Sequence, residues 1–115
     1  MPNVQVRTST PLDQQQIEKL QAGICGSISL IPGKFEAVTM TEIVPNCNLY
    51  LGGIGDGDCA YVDILVNNEP ETDALLAYSK RVSAIISDVT GIDIRRIYLL
   101  HRSVPKWHAG AMFAE

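Results

Sequence analysis

The sequence predicts an α/β domain (α+β by schemes that separate mixed sheets). Two β-α-β units form a mainly four-stranded sheet with two helices on one face. Three observations predict this. Short alternating or continuous apolar runs read as strands, and two longer stretches with apolar residues every three or four positions read as helices. The order is strand, helix, strand, and then the same again. Each unit is long enough for a helical crossover between its two strands.

The first strand begins in MPNVQVRT, where Val4 and Val6 alternate with Asn3, Gln5 and Arg7. Thr10-Pro11-Leu12-Asp13 then reads as a helix start, with Thr10 as cap, Pro11 in the first position and Asp13 three residues after the cap. Ile17, Leu20, Ile24, Ile28 and Ile31 mark one helix face, and Pro32-Gly33 stops it. Gly23 and Gly26 cost helix propensity there and point to close packing against another element. A second strand is expected over 37–44, ended by Pro45-Asn46.

NLYLGGIGDGD reads as a short strand followed by a loop. It has no Gly-Lys-Ser/Thr and leads into a strand, which argues against a phosphate loop. The run 59–66 is almost continuously apolar, as buried strands are, and Asn67-Asn68-Glu69-Pro70 breaks it. The second helix is expected over 71–90, with Leu75, Tyr78, Val82, Ile85, Ile86 and Val89 on one face and Gly91 as its C-terminal cap. The last main strand is expected over 94–101, and the tail carries Trp107 and Phe113.

The 115 residues make one domain, 1–115. An apolar share of 46% supplies a core, and a charged share of 19% argues against disorder. The net charge of −4 argues against a general nucleic-acid or anionic-membrane binder, though it leaves room for one cationic pocket. Cys25, Cys47 and Cys59 fall in no disulfide framework and read as reduced thiols. The first residues are polar, and no apolar run approaches the length of a membrane span. A soluble cytoplasmic domain is expected.

Two helices on one face leave the other sheet face uncovered. The simplest cover is a second copy of the chain, so a homo-oligomer is expected. The alternative is that the NLYLGG segment and the tail cover that face in a monomer. Position 2 raises a chemical question as well. If Met1 is removed, Pro2 becomes a secondary amine held in place by a sheet. If Met1 stays, the same nitrogen is an amide with no basic lone pair.

With Met1-Pro2 opening a strand and two β-α-β units, the chain resembles the macrophage migration inhibitory factor (MIF) family of the tautomerase superfamily. Further carriers are Gly33-Lys34 after the first helix, Leu51-Gly52-Gly53, Cys59-Ala60, Arg96-Ile97-Tyr98, and the tail Trp107-His108-Ala109-Gly110-Ala111-Met112-Phe113. The resemblance runs end to end. It implies a homotrimer with sheets facing a central axis and helices outside. It also implies an active site at a subunit boundary. The activity implied is keto–enol tautomerisation of small α-carbonyl acids such as phenylpyruvate, or of dopachrome-like compounds, with Pro2 as catalytic base. Some members are secreted signalling proteins exported without a signal peptide, so a receptor is a further implied partner.

An α-amino group titrates near 7.7–8.0 in the open, and burial or a neighbouring cation lowers that value toward neutral, where a base works best. The resemblance makes Lys34 the partner of the substrate carboxylate; its ordinary alternative is a solvated charge closing a helix. It makes Tyr98 a residue reaching the site from a neighbouring subunit, and Asn67 a backbone N–H donor to the carboxylate. Trp107 and Phe113 would form the apolar wall and rim.

Three departures stand out. Leu100 replaces an asparagine, Val38 replaces an aromatic residue, and Cys59-Ala60-Tyr61-Val62 lacks the second cysteine that dithiol chemistry needs. Two further readings stay open. One is a MIF-like secreted signalling or binding protein with a weak or vestigial site. The other is a dicarboxylate isomerase or dehalogenase, which needs more cations beside Pro2; Arg7, Arg95, Arg96, Arg102 and Lys106 are candidates. No metal or organic cofactor is expected.

Overall fold

The structure is a computed structural model that describes residues 1–53 and 57–114, without the side chains of 112–114. Ile54, Gly55 and Asp56 of the glycine-rich loop therefore lie outside the described residues. The main elements are β1 (Pro2–Thr8), α1 (Gln14–Gly26), β2 (Met40–Val44), β3 (Ala60–Asn67), α2 (Thr72–Thr90), β4 (Ile97–Val104), β5 (Trp107–Ala109) and β6 (Met112–Ala114). The four long strands form one sheet in the order β2-β1-β3-β4, and β5-β6 form a separate hairpin. β1 and β2 are parallel, as are β3 and β4, while β1 and β3 run antiparallel. The two predicted β-α-β units thus join through β1 and β3.

Several boundaries differ from the sequence reading, each for a local reason. α1 is capped by Asp13, not Thr10, and Pro11 lies before the helix. The Asp13 carboxylate accepts from the Gln16 backbone N–H at 2.8 Å while the Gln16 side chain accepts from the Asp13 backbone N–H at 2.9 Å. That reciprocal pair satisfies two donors that Thr10 would not reach. The α-helix ends at Gly26, and Ser27–Leu30 continue as a 3-10 turn that keeps Ile28 buried. Residues 36–38 form another 3-10 turn, so β2 starts at Met40. Ile94–Arg96 are likewise a 3-10 turn, held by the Asp93 side chain on the Arg95 N–H, and β4 runs from 97 to 104. No strand of the sheet forms from the described part of NLYLGG.

The core lies between the sheet and the helices. Val4, Val6, Val62, Ile64 and Val66 from the sheet meet Leu20, Ile24 and Ile28 from the first helical stretch and Tyr78, Val82 and Ile86 from α2. The glycines of α1 have the expected cause. A Cβ at Gly23 would stand 3.1 Å from two carbons of Ile85, and one at Gly26 would stand 3.1 Å from Glu36 Oε1. Tyr78, fully buried, donates its hydroxyl to the Ile24 carbonyl at 2.8 Å and fastens the two helices together. Gly91, at φ 79, closes α2 in the left-handed conformation that glycine adopts without a Cβ penalty.

The opposite sheet face carries no helix. By register it presents Met40 and Glu42, Asn3 and Gln5, Leu65, Asp63 and Tyr61, and Arg102, Leu100 and Tyr98. Met40, Tyr98 and Leu100 are exposed on it, while Arg102 pairs with Asp63 and Gln5 donates to Glu42. The face is therefore mixed rather than apolar throughout. No helix among the described residues is long and apolar enough to cross a membrane.

His101 faces α2 and hydrogen-bonds Ser79 through Nε2, while its Nδ1 is buried without a partner. Burial pushes its imidazole below the ordinary 6.5. As pH falls through about 6.5 the unfolded chain takes up a proton that the folded ring resists, so stability is full above that value and declines below it. We predict that the thermal midpoint falls between pH 7 and 5.5, and that His101→Gln flattens this decline. An equally steep profile in the variant would refute the assignment.

Candidate active site

Three chain segments meet at one end of the sheet. β1 starts there at Pro2, which lies opposite Val66, and β3 ends there at Asn67. Asn68 follows in a left-handed conformation, φ 62, which asparagine tolerates, and turns the chain away at once. The third segment is Ile31-Pro32-Gly33-Lys34. Ile31 is fully buried, the Lys34 N–H donates to the Ile31 carbonyl at 3.1 Å, and Gly33 has φ 81. Proline second and left-handed glycine third define a type II turn. The Pro-Gly pair that stops the helical stretch thus also swings Lys34 back over the sheet end.

Lys34 is buried, at 8% exposure, and not a solvated charge. Its Nζ donates to the Asn67 carbonyl at 2.6 Å and to Asn67 Oδ1 at 3.0 Å. The α-amine of Met1 donates to the same Oδ1 at 2.6 Å. Two amines therefore share one amide oxygen. The amine of Met1 is pushed below its ordinary 8.0, first by burial and second by the Lys34 charge. Burial also lowers Lys34 from its ordinary value. In this covalent state the Pro2 nitrogen is a peptide nitrogen.

Met1 and Pro2 also line a cleft of about 560 Å³, together with Val38, Met40, Trp107 and His108 among others, while Lys34 lines a second hollow with Pro32, Gly33 and Asn68. Trp107 is brought there because β4 runs alongside β3 to the same end, where Val104 stands beside Asn67. The β5-β6 hairpin then folds over, with Gly110 at φ 59 in its two-residue turn. Phe113 lies in β6, but its side chain is outside the described set.

The structure thus brings Lys34 and Asn67 together with the Met1 amine, and Met1 in turn lines the cleft with Pro2 and Trp107. It does not gather Tyr98. Ser103 of β4 stands beside Val66, so Tyr98 is five residues, about 17 Å, farther along the strand. It lines instead a separate hollow of about 110 Å³ with Tyr50, Leu51, Cys59 and Arg96. The arginines offered for a dicarboxylate site are engaged elsewhere. Arg7 donates to Gln5, Arg95 pairs with Asp93, Arg96 donates to the carbonyls of Gly57 and Asp58, and Arg102 pairs with Asp63; neither these nor Lys106, the fifth candidate, lines the cleft. Sequence reasoning missed three contributors: the Asn67 side chain, Met40 and His108. Only the last had a signal, its place directly after Trp107. The described residues hold no cluster suited to a metal ion, and Cys25, Cys47 and Cys59 are free thiols.

The amine should titrate below 8.0 in this protein, which NMR of the Met1 amino group across pH measures directly. Lys34→Met removes a neighbouring positive charge and is expected to move that titration upward but only part of the way, since burial, the larger cause, remains. A midpoint at or above 8.0 in the unsubstituted protein would contradict the geometry.

No family model and no curated relative matches the sequence. Solved structures do. Leishmania major MIF2 superposes with a TM-score of 0.89 at 24% identity, covering 99% of this chain and 97% of that chain. The macrophage migration inhibitory factor homologue from Prochlorococcus marinus gives 0.85 at 21%, covering 96% and 97%. A fused 4-OT wild-type asymmetric trimer gives 0.81 at 14%, covering 96% and 94%. At such identities the likeness establishes architecture. The chain has the fold of these macrophage migration inhibitory factor proteins and of the fused 4-OT.

Proposed function

We propose that this protein is a keto–enol tautomerase of small α-carbonyl acids such as phenylpyruvate, with Pro2 as general base once Met1 is removed. The observation that carries this reading is the shared oxygen of Asn67: the amine at the start of the chain and the buried Lys34 ammonium both donate to it, and Met1 and Pro2 line an apolar cleft. Burial and the lysine charge, which lower the Met1 amine, would act on a Pro2 amine in the same surroundings and keep its lone pair free near neutrality.

The chemistry follows from these parts. An ammonium has three donors, and Lys34 uses two on Asn67, which leaves one for a carboxylate. Pro2 takes a proton from the carbon beside the carbonyl. The C–H electron pair becomes the C=C bond, the carbonyl π pair moves to oxygen, and oxygen takes up a proton. Met40, Val38 and Trp107 supply apolar surface for the substrate's remaining group, which suits a monocarboxylate better than a dicarboxylate. The exposed sheet face supports a homotrimer, in which Tyr98 from a neighbouring copy would reach the site that its own chain leaves open.

The test is phenylpyruvate tautomerisation by protein of verified intact mass. Met-free protein should be active, and Pro2→Gly should lose about 100-fold or more in kcat/KM, the scale of a general base. Light scattering should give three times the 12.5 kDa protomer mass. Inactivity of Met-free protein would overturn the reading of the site, and a monomer would overturn the role given to Tyr98.

A further inference from the structure

We infer that the side chain of Asn67 is a positioning residue, which tethers the Lys34 ammonium so that its remaining N–H is presented to the substrate carboxylate. This rests on the tautomerase reading and goes beyond it, since the resemblance implies only a backbone N–H at this position.

A lysine has a flexible four-carbon stem and a compact charge, so it does not hold one direction unaided. Here two acceptors belonging to a single residue bracket the ammonium, the carbonyl at 2.6 Å and Oδ1 at 3.0 Å. Asn67 is itself fixed. It is the last residue of β3, stands beside Val104 in the sheet, is 9% exposed, and is followed by the left-handed turn at Asn68. Electrostatics set the orientation of its amide. Turned the other way, its NH2 group would face two amines instead of offering them an oxygen.

The tether is also neutral. A carboxylate in this place would hold the lysine equally well but would neutralise it, and an anionic substrate would then compete with an internal anion. Asparagine fixes the cation and leaves its charge available. Its Nδ2 has no protein partner, and His101 Nδ1 is the only partnerless buried side-chain N or O among the described residues. Nδ2 therefore reaches solvent.

The test uses Asn67→Asp, which keeps the shape and changes the charge, in Met-free protein whose folding is checked by thermal melting. Trp107 is the only tryptophan and lines the cleft, so its fluorescence reports binding. The probes are phenylacetate and its uncharged counterpart phenylacetamide. The expected result is about tenfold weaker binding of phenylacetate, the scale of one charge-assisted hydrogen bond, with phenylacetamide unchanged. KM for phenylpyruvate should rise by the same factor with little change in kcat. If the Asp variant does not fold, Asn67→Leu removes the side-chain half of the tether without adding charge, leaves the backbone carbonyl in place, and should show the same selective loss.

Equal changes for both probes, or no change for either, would overturn the inference and reduce Asn67 to packing. The two proposals fail separately. Wild-type protein that binds phenylacetate but does not turn over phenylpyruvate would end the tautomerase reading, while the probe comparison would still decide the role of Asn67. Wild-type protein that does not bind phenylacetate overturns the tether's purpose whatever its activity.

Discussion

A buried ammonium is the constraint around which this molecule is arranged. Lys34 lies almost out of solvent, and a charge there is tolerable only where acceptors meet it. Asn67 meets it twice. That contact joins the turn after the first helical stretch to the end of the central strand β3, and β1 begins alongside. The α-amine of Met1 shares the oxygen that binds the lysine, so the first residue is tied to the same contact. Removing the Asn67 side chain leaves the buried ammonium with one acceptor in place of two, the Asn67 carbonyl.

The rest of the fold keeps that end of the sheet in place. Ile31 anchors the turn in the core, and the close approach of Gly23 to Ile85 allows the two helices to lie side by side on the sheet. Tyr78 crosses between them and places its hydroxyl on the Ile24 carbonyl, where burial also pushes its ionisation well above the ordinary 10. One face of the sheet is therefore a dry, interlocked layer. The other is a surface of ion pairs and exposed apolar residues, and it is the face on which Tyr98 stands.

Much of this is legible in the sequence because periodicity reports burial. Val4 and Val6 alternating with polar residues, and Ile17 through Ile31 at helical spacing, gave the elements and their order. Element ends were harder. Thr10 and Asp13 are both good caps, and only the reciprocal bond with Gln16 decides between them. The 3-10 turns before β2 and β4 replace stretches whose composition suits a strand. In the site, Pro2, Lys34 and Trp107 were recognisable as residue types in a pattern. The part played by the Asn67 side chain was not, because it depends on which way an amide faces, and spacing carries no information on that. Tyr98 shows the same limit in another form, since its distance from Pro2 within one chain is a matter of register.

The proposed base requires that the nitrogen of Pro2, freed of Met1, be a nucleophilic and largely unprotonated amine inside the cleft. Bromopyruvate tests it directly, because it offers the carboxylate of an α-carbonyl acid together with a carbon that an amine lone pair alkylates with loss of bromide. Peptide mass spectrometry of Met-free protein should place the adduct on Pro2, with protection by phenylpyruvate. Labelling that falls on Cys47 or on surface amines while Pro2 stays unmodified would contradict the account.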